Sequence, residues 1–154
     1  MASIRKFMPE AGVSTDLMTG FCGETEEEHQ ETLSLMEEVK YDFAYMFAYS
    51  ERPKTLAERK FEDDIPEEVK KRRLAEIIDL QALHSISSNE SRVGKQVRVL
   101  IEGESKRSSE QFFGRSSQNA VVVFDREDFK KGDYVTVQIT DSTRGTLLGS
   151  IVKA

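Results

Sequence analysis

Apolar positions along this chain change their period as it proceeds. Val13 to Phe21 reads as a strand studded with Ser14, Thr15, Asp16 and Thr19, and Gly20 and Gly23 close it. Thr25-Glu26-Glu27-Glu28 then spells a capping box, in which the Thr25 hydroxyl accepts from the Glu28 amide and Glu28 reaches back. Three acids in a first turn also suit the positive end of the helix dipole. Thr32, Leu35, Met36 and Val39 continue as the apolar stripe of that helix. Tyr41 to Ser50 is apolar at both alternating sets of positions, as a strand covered on both faces would be. Strand, helix and strand in this order predict a βαβ unit with a parallel sheet.

Residues 50–65 are polar and irregular, with Pro53 among them. A helix is predicted from about Pro66, with Glu67 and Glu68 in its first turn. Leu74, Ile77 and Ile78 give its stripe, which Leu80, Leu83 and Ile86 widen; Ser85 to Asn89 weaken the helical signal, and Gly94 marks a boundary. Beyond Gly94 the period becomes two. Val97-Val99-Ile101 and Val135-Val137-Ile139 alternate with polar residues, and Gln111 to Arg115, Asn119 to Phe124 and Thr146 to Val152 add further short strands. Five such strands with Gly, Ser and Asp punctuation predict a small β-barrel.

Composition narrows the class. A chain of 154 residues suits one domain or two small ones, and 38% hydrophobic with 32% charged residues suits a soluble globular protein. No apolar run approaches the roughly 20 residues of a membrane helix, so no membrane partner is expected. The opening residues lack the apolar core of a secretory signal, which makes the cytoplasm the expected compartment. Cys22 is the single cysteine, which excludes an internal disulfide and an all-cysteine metal site within one chain. The net charge of −6 argues at first against nucleic acid, but it is unevenly spread. Residues 1–92 carry 12 Lys/Arg against 20 Asp/Glu, a net of −8, whereas residues 93–154 carry 10 against 8, a net of +2. The asymmetry points to two units with different partners.

Candidate chemistry gathers at two places. In parallel α/β sheets, ligands bind beyond the carboxyl ends of the strands, where Gly20 and Gly23 lie. Those glycines would let a ligand approach the backbone, the following helix offers free amides, and Ser14, Asp16 and Thr19 could face a polar interior. The alternative is a tight turn whose polar groups satisfy one another. In the second half, Lys106, Arg107, Arg115, Asn119 and Arg144 are loop and strand-end groups able to meet phosphates. Phe112 and Phe113 are adjacent, so one belongs to a core and the other, taken as Phe113, is free to stack on a base. His29 and His84 lack a metal-ligand neighbour at i+4 and are expected at surface or edge positions. Tyr45 and Tyr49 are expected to pack rather than react, and no metal site is expected.

Four segments, in order, carry a family resemblance. Ser14 to Thr25 resembles the "STDxIxGFPGET" signature of radical S-adenosylmethionine methylthiotransferases. Tyr49 to Ala57 is similar to their "YSxRxGTxA" segment, and Glu67 to Leu74 to their "xEVKxxRL" helix. Gly94 to Val152 resembles the TRAM domain, an RNA-binding β-barrel. Cys22 stands where the family usually has proline, and Lys54 where it has glycine, a residue free to adopt positive φ. The family's cysteine triplet and its further N-terminal cluster domain have no counterpart here. One thiolate cannot hold a cluster that needs three or four ligands, so Cys22 is expected as a small, partly buried thiol.

The resemblance implies an α/β plus all-β fold. Residues 1–65 would be the last βα units of a partial radical-SAM barrel, 66–92 a linker helix and 93–154 a five-stranded TRAM barrel. It implies that Ser14, Asp16, Thr19, Gly20 and Gly23 belong to the S-adenosylmethionine pocket, with Arg52 projecting toward it; the alternative for Arg52 is an ion pair with Glu24 or Asp16. It further implies the C-terminal portion of a tRNA methylthiotransferase that modifies N6-isopentenyladenosine beside the anticodon. The tRNA anticodon stem-loop would be the partner, and two 4Fe-4S clusters would be held by domains outside this chain, leaving the chain alone inactive. Arg52 favours a tRNA-directed member over the ribosomal-protein one. Two alternatives stand beside this: the threonylcarbamoyladenosine enzyme of the same family, and a free-standing RNA-binding module without catalysis.

Overall fold

The computed structural model describes residues 1–152; the last two residues of the expected TRAM region lie outside the described residues. The chain divides into two compact units, Ser14–His84 and a second built from Met1–Val13 with Ser85 onward. This differs from the three-part division expected above. Residues before Val13 group with the β-rich unit, and the division falls inside a helix.

In the first unit, β1 (Ser14–Thr19) pairs in parallel with β2 (Phe43–Ala48), in register from Ser14↔Phe43 to Thr19↔Ala48. Between them runs α2 (Glu26–Val39), the short α1 (Ala2–Phe7) having preceded β1. The capping box forms as read: Glu28 N donates to Thr25 Oγ1 at 3.2 Å, and Thr25 N to Glu28 Oε2 at 2.9 Å. Strand alternation puts Thr15, Leu17 and Thr19 on one face with Ala44, Met46 and Ala48. That face is the covered one: Thr19 and Ala44 are buried, as are Met36, Val39 and Ile77 from the helices. The opposite face carries Ser14, Asp16, Met18, Phe43, Tyr45 and Phe47, all exposed. β2 is therefore covered on one side only, against the two-sided burial its composition predicted. Tyr45 does not pack inward, although its ring meets Phe43 edge-on at 4.7 Å. Tyr49 does: it is buried against the edge of Phe21 at 4.9 Å. Leu35 is exposed, and the buried positions of α2 are His29, Met36 and Val39.

Beyond β2 come α3 (Leu56–Lys60) and α4 (Glu67–Glu90). α4 starts directly after Pro66, as predicted, and Ser85 to Asn89 do not interrupt it. Its buried face differs from the apolar stripe read above. Lys70, Arg73, Ile77, Gln81 and His84 are buried, whereas Leu83 and Ile86 are exposed. Four of these five are polar, so this face depends on ion pairs and hydrogen bonds rather than on aliphatic packing. His29 and His84, expected at the surface or at edges, are both buried for that reason.

The second unit is built on five strands: β3 (Gln96–Ser105), β4 (Ser108–Ser116), β5 (Val121–Asp125), β6 (Tyr134–Ser142) and β7 (Leu147–Ile151). They pair in the order β3-β4-β5-β7-β6, and β6 returns to β3, closing a barrel without free edges. Gly94 has φ +84°, and its amide donates to Ile139 O at 2.9 Å where β3 begins. The alternating residues point inward as read: Val99, Ile101, Val135, Val137 and Ile139 join Phe112, Val122, Phe124 and Leu147 in one core. Gly114 is needed on this tight curve, because a Cβ there would sit 2.2 Å from Leu100 O of the neighbouring strand. Asn89 at the end of α4 ties to the β6–β7 turn, its Nδ2 donating to Thr143 O at 2.9 Å and Arg144 O at 3.2 Å.

Candidate functional site

The first candidate lies beyond the carboxyl ends of β1 and β2. Gly20 and Gly23 hold φ of +74° and +78°, which only glycine adopts without cost. Both amides are engaged internally: Gly20 N donates to Glu24 Oε2 and Gly23 N to Asp64 Oδ1 at 2.7 Å. Gly20 has a second reason to lack a side chain, since a Cβ would lie 2.5 Å from Lys70 Cγ. Lys70 is buried, with Nζ at 2.6 Å from both Asp63 oxygens and over the Tyr49 ring at 5.4 Å. Burial alone would pull its pKa down; the Asp63 and Glu67 carboxylates outweigh that and raise it. The Tyr49 hydroxyl is raised too, by burial first and then by its neighbour Cys22.

Arg73 secures the turn to α4. Its Nη1 donates to Glu24 Oε2 at 2.7 Å and to Glu24 O at 3.0 Å, and Nη2 reaches Glu26 Oε2 at 3.2 Å. Arg72 joins Glu26 and Glu76 at 2.7 Å each, and Glu76 Oε2 lies 2.7 Å from His29 Nε2. His29 Nδ1 in turn lies 3.5 Å from Thr19 Oγ1, whose hydroxyl donates to Glu24. A continuous polar network thus joins β1, the turn, α2 and α4. Hydrogen bonds from Arg72 and then Arg73 hold the Glu26 carboxyl down to about 2, and His29 and then Arg72 lower that of Glu76.

The expected pocket residues are therefore split. Ser14 and Asp16 share the exposed sheet face. Thr19 points away from it into the covered side and is fully buried. Arg52, past the end of β2, is exposed and its guanidinium has no partner among the described residues; Glu24 is taken by Arg73, so the alternative ion pair does not form. Lys54 stands in the left-handed region at φ +70°, the conformation that the family's usual glycine would adopt freely. Its amide donates to Glu58 Oε2 at 2.8 Å. Glu24, His29, Lys70 and Arg73 were missed by the sequence reading; the one available signal was the helical spacing of Lys70, Arg73 and Ile77. The open face carries a hydroxyl, a carboxylate and apolar surface, and Arg52 adds an exposed guanidinium past the carboxyl end of β2, while Ser14 stands at the opposite end of the strands. An iron–sulfur cluster does not fit: no three His, Cys, Asp or Glu among the described residues are placed to hold a metal ion.

The barrel candidates fall at opposite ends. Arg115, Asn119 and Arg144 lie by the β4–β5 and β6–β7 turns, which parallel pairing of β5 with β7 brings to one end. Lys106 and Arg107 form the β3–β4 turn at the other end. Arg115 is occupied: Nη1 donates to Asn119 O and Oδ1 at 3.1 Å, and Nε lies 3.4 Å from Glu102. Lys106, Arg107 and Arg144 are exposed. Phe112 is the core member of its pair; Phe113 is half-buried on the outer face, with its ring edge 3.4 Å from where a Gly103 Cβ would stand. It covers the glycine of a bulged strand, which accounts for an aromatic there without a ligand.

The closed five-stranded barrel, with its core of alternating aliphatics, lies within residues 90–152, which match the TRAM domain family. The chain is 59% identical over 147 residues to the tRNA-2-methylthio-N(6)-dimethylallyladenosine synthase of Christiangramia forsetii, covering 96% of this chain and 31% of that protein. It is 58% identical over 149 residues to the protein of that name from Amoebophilus asiaticus, with coverages of 96% and 31%. To the one from Chlorobium phaeobacteroides it is 57% identical over 150 residues, with coverages of 97% and 34%. The chain is thus similar to these relatives along nearly its whole length and spans about a third of theirs.

Proposed function

We propose that this chain is the C-terminal portion of a tRNA methylthiotransferase acting on N6-isopentenyladenosine beside the anticodon. The observation that carries the reading is an overall identity above one half in alignments that cover 96% of the chain. In this reading β1 and β2 are the last strands of a partial radical-SAM barrel, and their open face looks into its interior. Ser14, Asp16 and Arg52 contribute to the S-adenosylmethionine pocket. Gly20 and Gly23 shape its rim, and Thr19 acts from behind by holding Glu24. S-adenosylmethionine supplies the methyl group; the two 4Fe-4S clusters are held by other regions of the whole protein, and the chain alone is inactive. The barrel contacts the tRNA anticodon stem-loop, and the protein works in the cytoplasm. No helix among the described residues is long and apolar enough to cross a membrane.

The test uses a chimera in which this chain replaces the matching third of a relative. Calorimetric titration with S-adenosylmethionine should show binding. Arg52→Ala should weaken it by about 10- to 100-fold, the worth of one hydrogen bond to a charged group. Unchanged affinity in a folded Arg52→Ala chimera would remove Arg52 from the pocket.

A further inference from the structure

We infer that the outer face of the β3–β6 ladder is a stacking site for single-stranded RNA, centred on Arg98 and Tyr134. The inference rests on the reading of the barrel as an RNA-binding unit and names the surface that does the binding, which differs from the residues singled out by sequence. The Arg98 guanidinium lies 4.2 Å from the centroid of the Tyr134 ring. Tyr134 is 57% exposed, far more than an aromatic that only fills a core. The two strands meet with Arg98 opposite Thr136 and Leu100 opposite Tyr134, so Arg98 and Tyr134 are diagonal neighbours on one face. A planar cation already lying on an aromatic ring presents two flat surfaces, and both a base and a phosphate can use them.

Charge separates this face from the rest of the barrel. Residues 95–100 and 134–140, which form the ladder, contain Lys95 and Arg98 and no Asp or Glu. Arg98 has no acidic partner among the described residues. The β3–β4–β5 side carries Glu102, Glu104, Glu110 and Asp125. Two of its cations are already engaged, Arg115 on Glu102 at 3.4 Å and Arg126 on Glu104 at 2.6 Å, and the others, Lys106 and Arg107, sit in the turn at one end rather than on the strand face. A phosphate approaching that side meets carboxylates; one approaching the β3–β6 side meets a free guanidinium. Gln96 and Gln138 are paired across the same ladder; Gln138 Nε2 donates to Lys95 O at 3.4 Å, which leaves its carbonyl and the Gln96 amide to a base edge. Stacking on aromatics with a cation beside them is tolerant of sequence, which fits a site that follows a single strand.

The test is fluorescence anisotropy of labelled oligouridylate with the full chain across a range of salt. Tyr134→Ala should weaken binding by about 5- to 150-fold without changing the dependence on salt, as loss of one stacked base does. Tyr134→Phe should bind like the parent. Arg98→Gln should lower the slope of log affinity against log salt by about 0.7, one phosphate on a single strand. Arg98→Lys should recover that slope but not the full affinity. Thr136→Glu places a carboxylate on the acid-free face and should abolish binding by a folded protein. Affinity within about twofold of the parent for both Tyr134→Ala and Thr136→Glu would overturn the site while leaving the barrel an RNA binder elsewhere. No binding by the parent chain would overturn both the site and the reading it rests on.

Discussion

Removing Arg73 should cost the first unit far more than removing its neighbour Arg72, although both bond to Glu26. Arg73 is 4% exposed, and its guanidinium meets Glu24, whose side chain is 12% exposed. Replacing Arg73 by Met keeps the bulk and leaves the Glu24 carboxylate out of water with only Gly20 N and Thr19 Oγ1 as donors. Breaking a buried pair by deleting one partner costs about 3–5 kcal/mol, a large part of the roughly 5–15 kcal/mol that stabilises a domain. Arg72 is 46% exposed, so Arg72→Gln should give only the small loss of a solvated pair. The double variant Glu24→Gln, Arg73→Met removes both charges and should recover part of the loss, because no carboxylate is then left buried without its cation. Urea unfolding followed by circular dichroism in the helical band measures all of these; α2 and α4 dominate that signal, and the chain has no tryptophan to report instead. Equal losses in Arg73→Met and Arg72→Gln would refute the claim that a buried ion pair fixes the glycine turn.

Acid should weaken this unit through the same network. Glu26 falls from 4.5 to about 2 on folding, so its contribution is complete above the unfolded value and is lost as pH drops from about 4.5 toward 2. Glu26→Gln should flatten that limb in an acid titration followed by circular dichroism; an unchanged limb would show that Glu26 is not held down. Lys54→Gly should raise the unfolding free energy by about 0.5 kcal/mol, read as a higher urea midpoint: the relief of a left-handed residue less the extra freedom of glycine in the unfolded chain. A lower midpoint would mean that the Lys54 side chain contributes contacts beyond its backbone. The purified chain should stay colourless after anaerobic treatment with iron and sulfide, and a brown monomer with stoichiometric iron would refute this. A polypeptide spanning residues 85–154 should give a dispersed amide spectrum and be more stable than one spanning 93–154, which loses the Asn89 bonds to the β6–β7 turn.

What was legible in the sequence was local. The capping box at Thr25 and Glu28, the start of α4 after Pro66, the change from helix to strand around Gly94 and the alternating valines of β3 and β6 each depend on neighbours within a few residues. The buried face of α4 was not legible, because its partners lie far off in the chain. Arg73 reaches Glu24 49 residues back, and Glu76 reaches His29 across 47. Hydropathy assigns Lys70, Arg73, Gln81 and His84 to solvent, and only knowledge of the waiting carboxylates and carbonyls reverses that. Thr19 was misplaced for a related reason. It follows Ser14 and Asp16 as another polar residue of β1, but strand parity puts it on the opposite face. On the barrel, the type of residue at Arg115 and Phe113 suited RNA, while their contacts with Glu102, Asn119 and Gly103 give both a structural occupation.

The central claim is that this chain completes a methylthiotransferase. The most direct measurement places the chimera, with this chain as its final third, in cells lacking their own enzyme, and digests their tRNA to nucleosides for mass spectrometry. The account predicts that 2-methylthio-N6-isopentenyladenosine reappears with the chimera and falls away with its Arg52→Ala variant. A chimera that is folded and loaded with clusters, yet leaves N6-isopentenyladenosine unmodified at its second carbon, would contradict it.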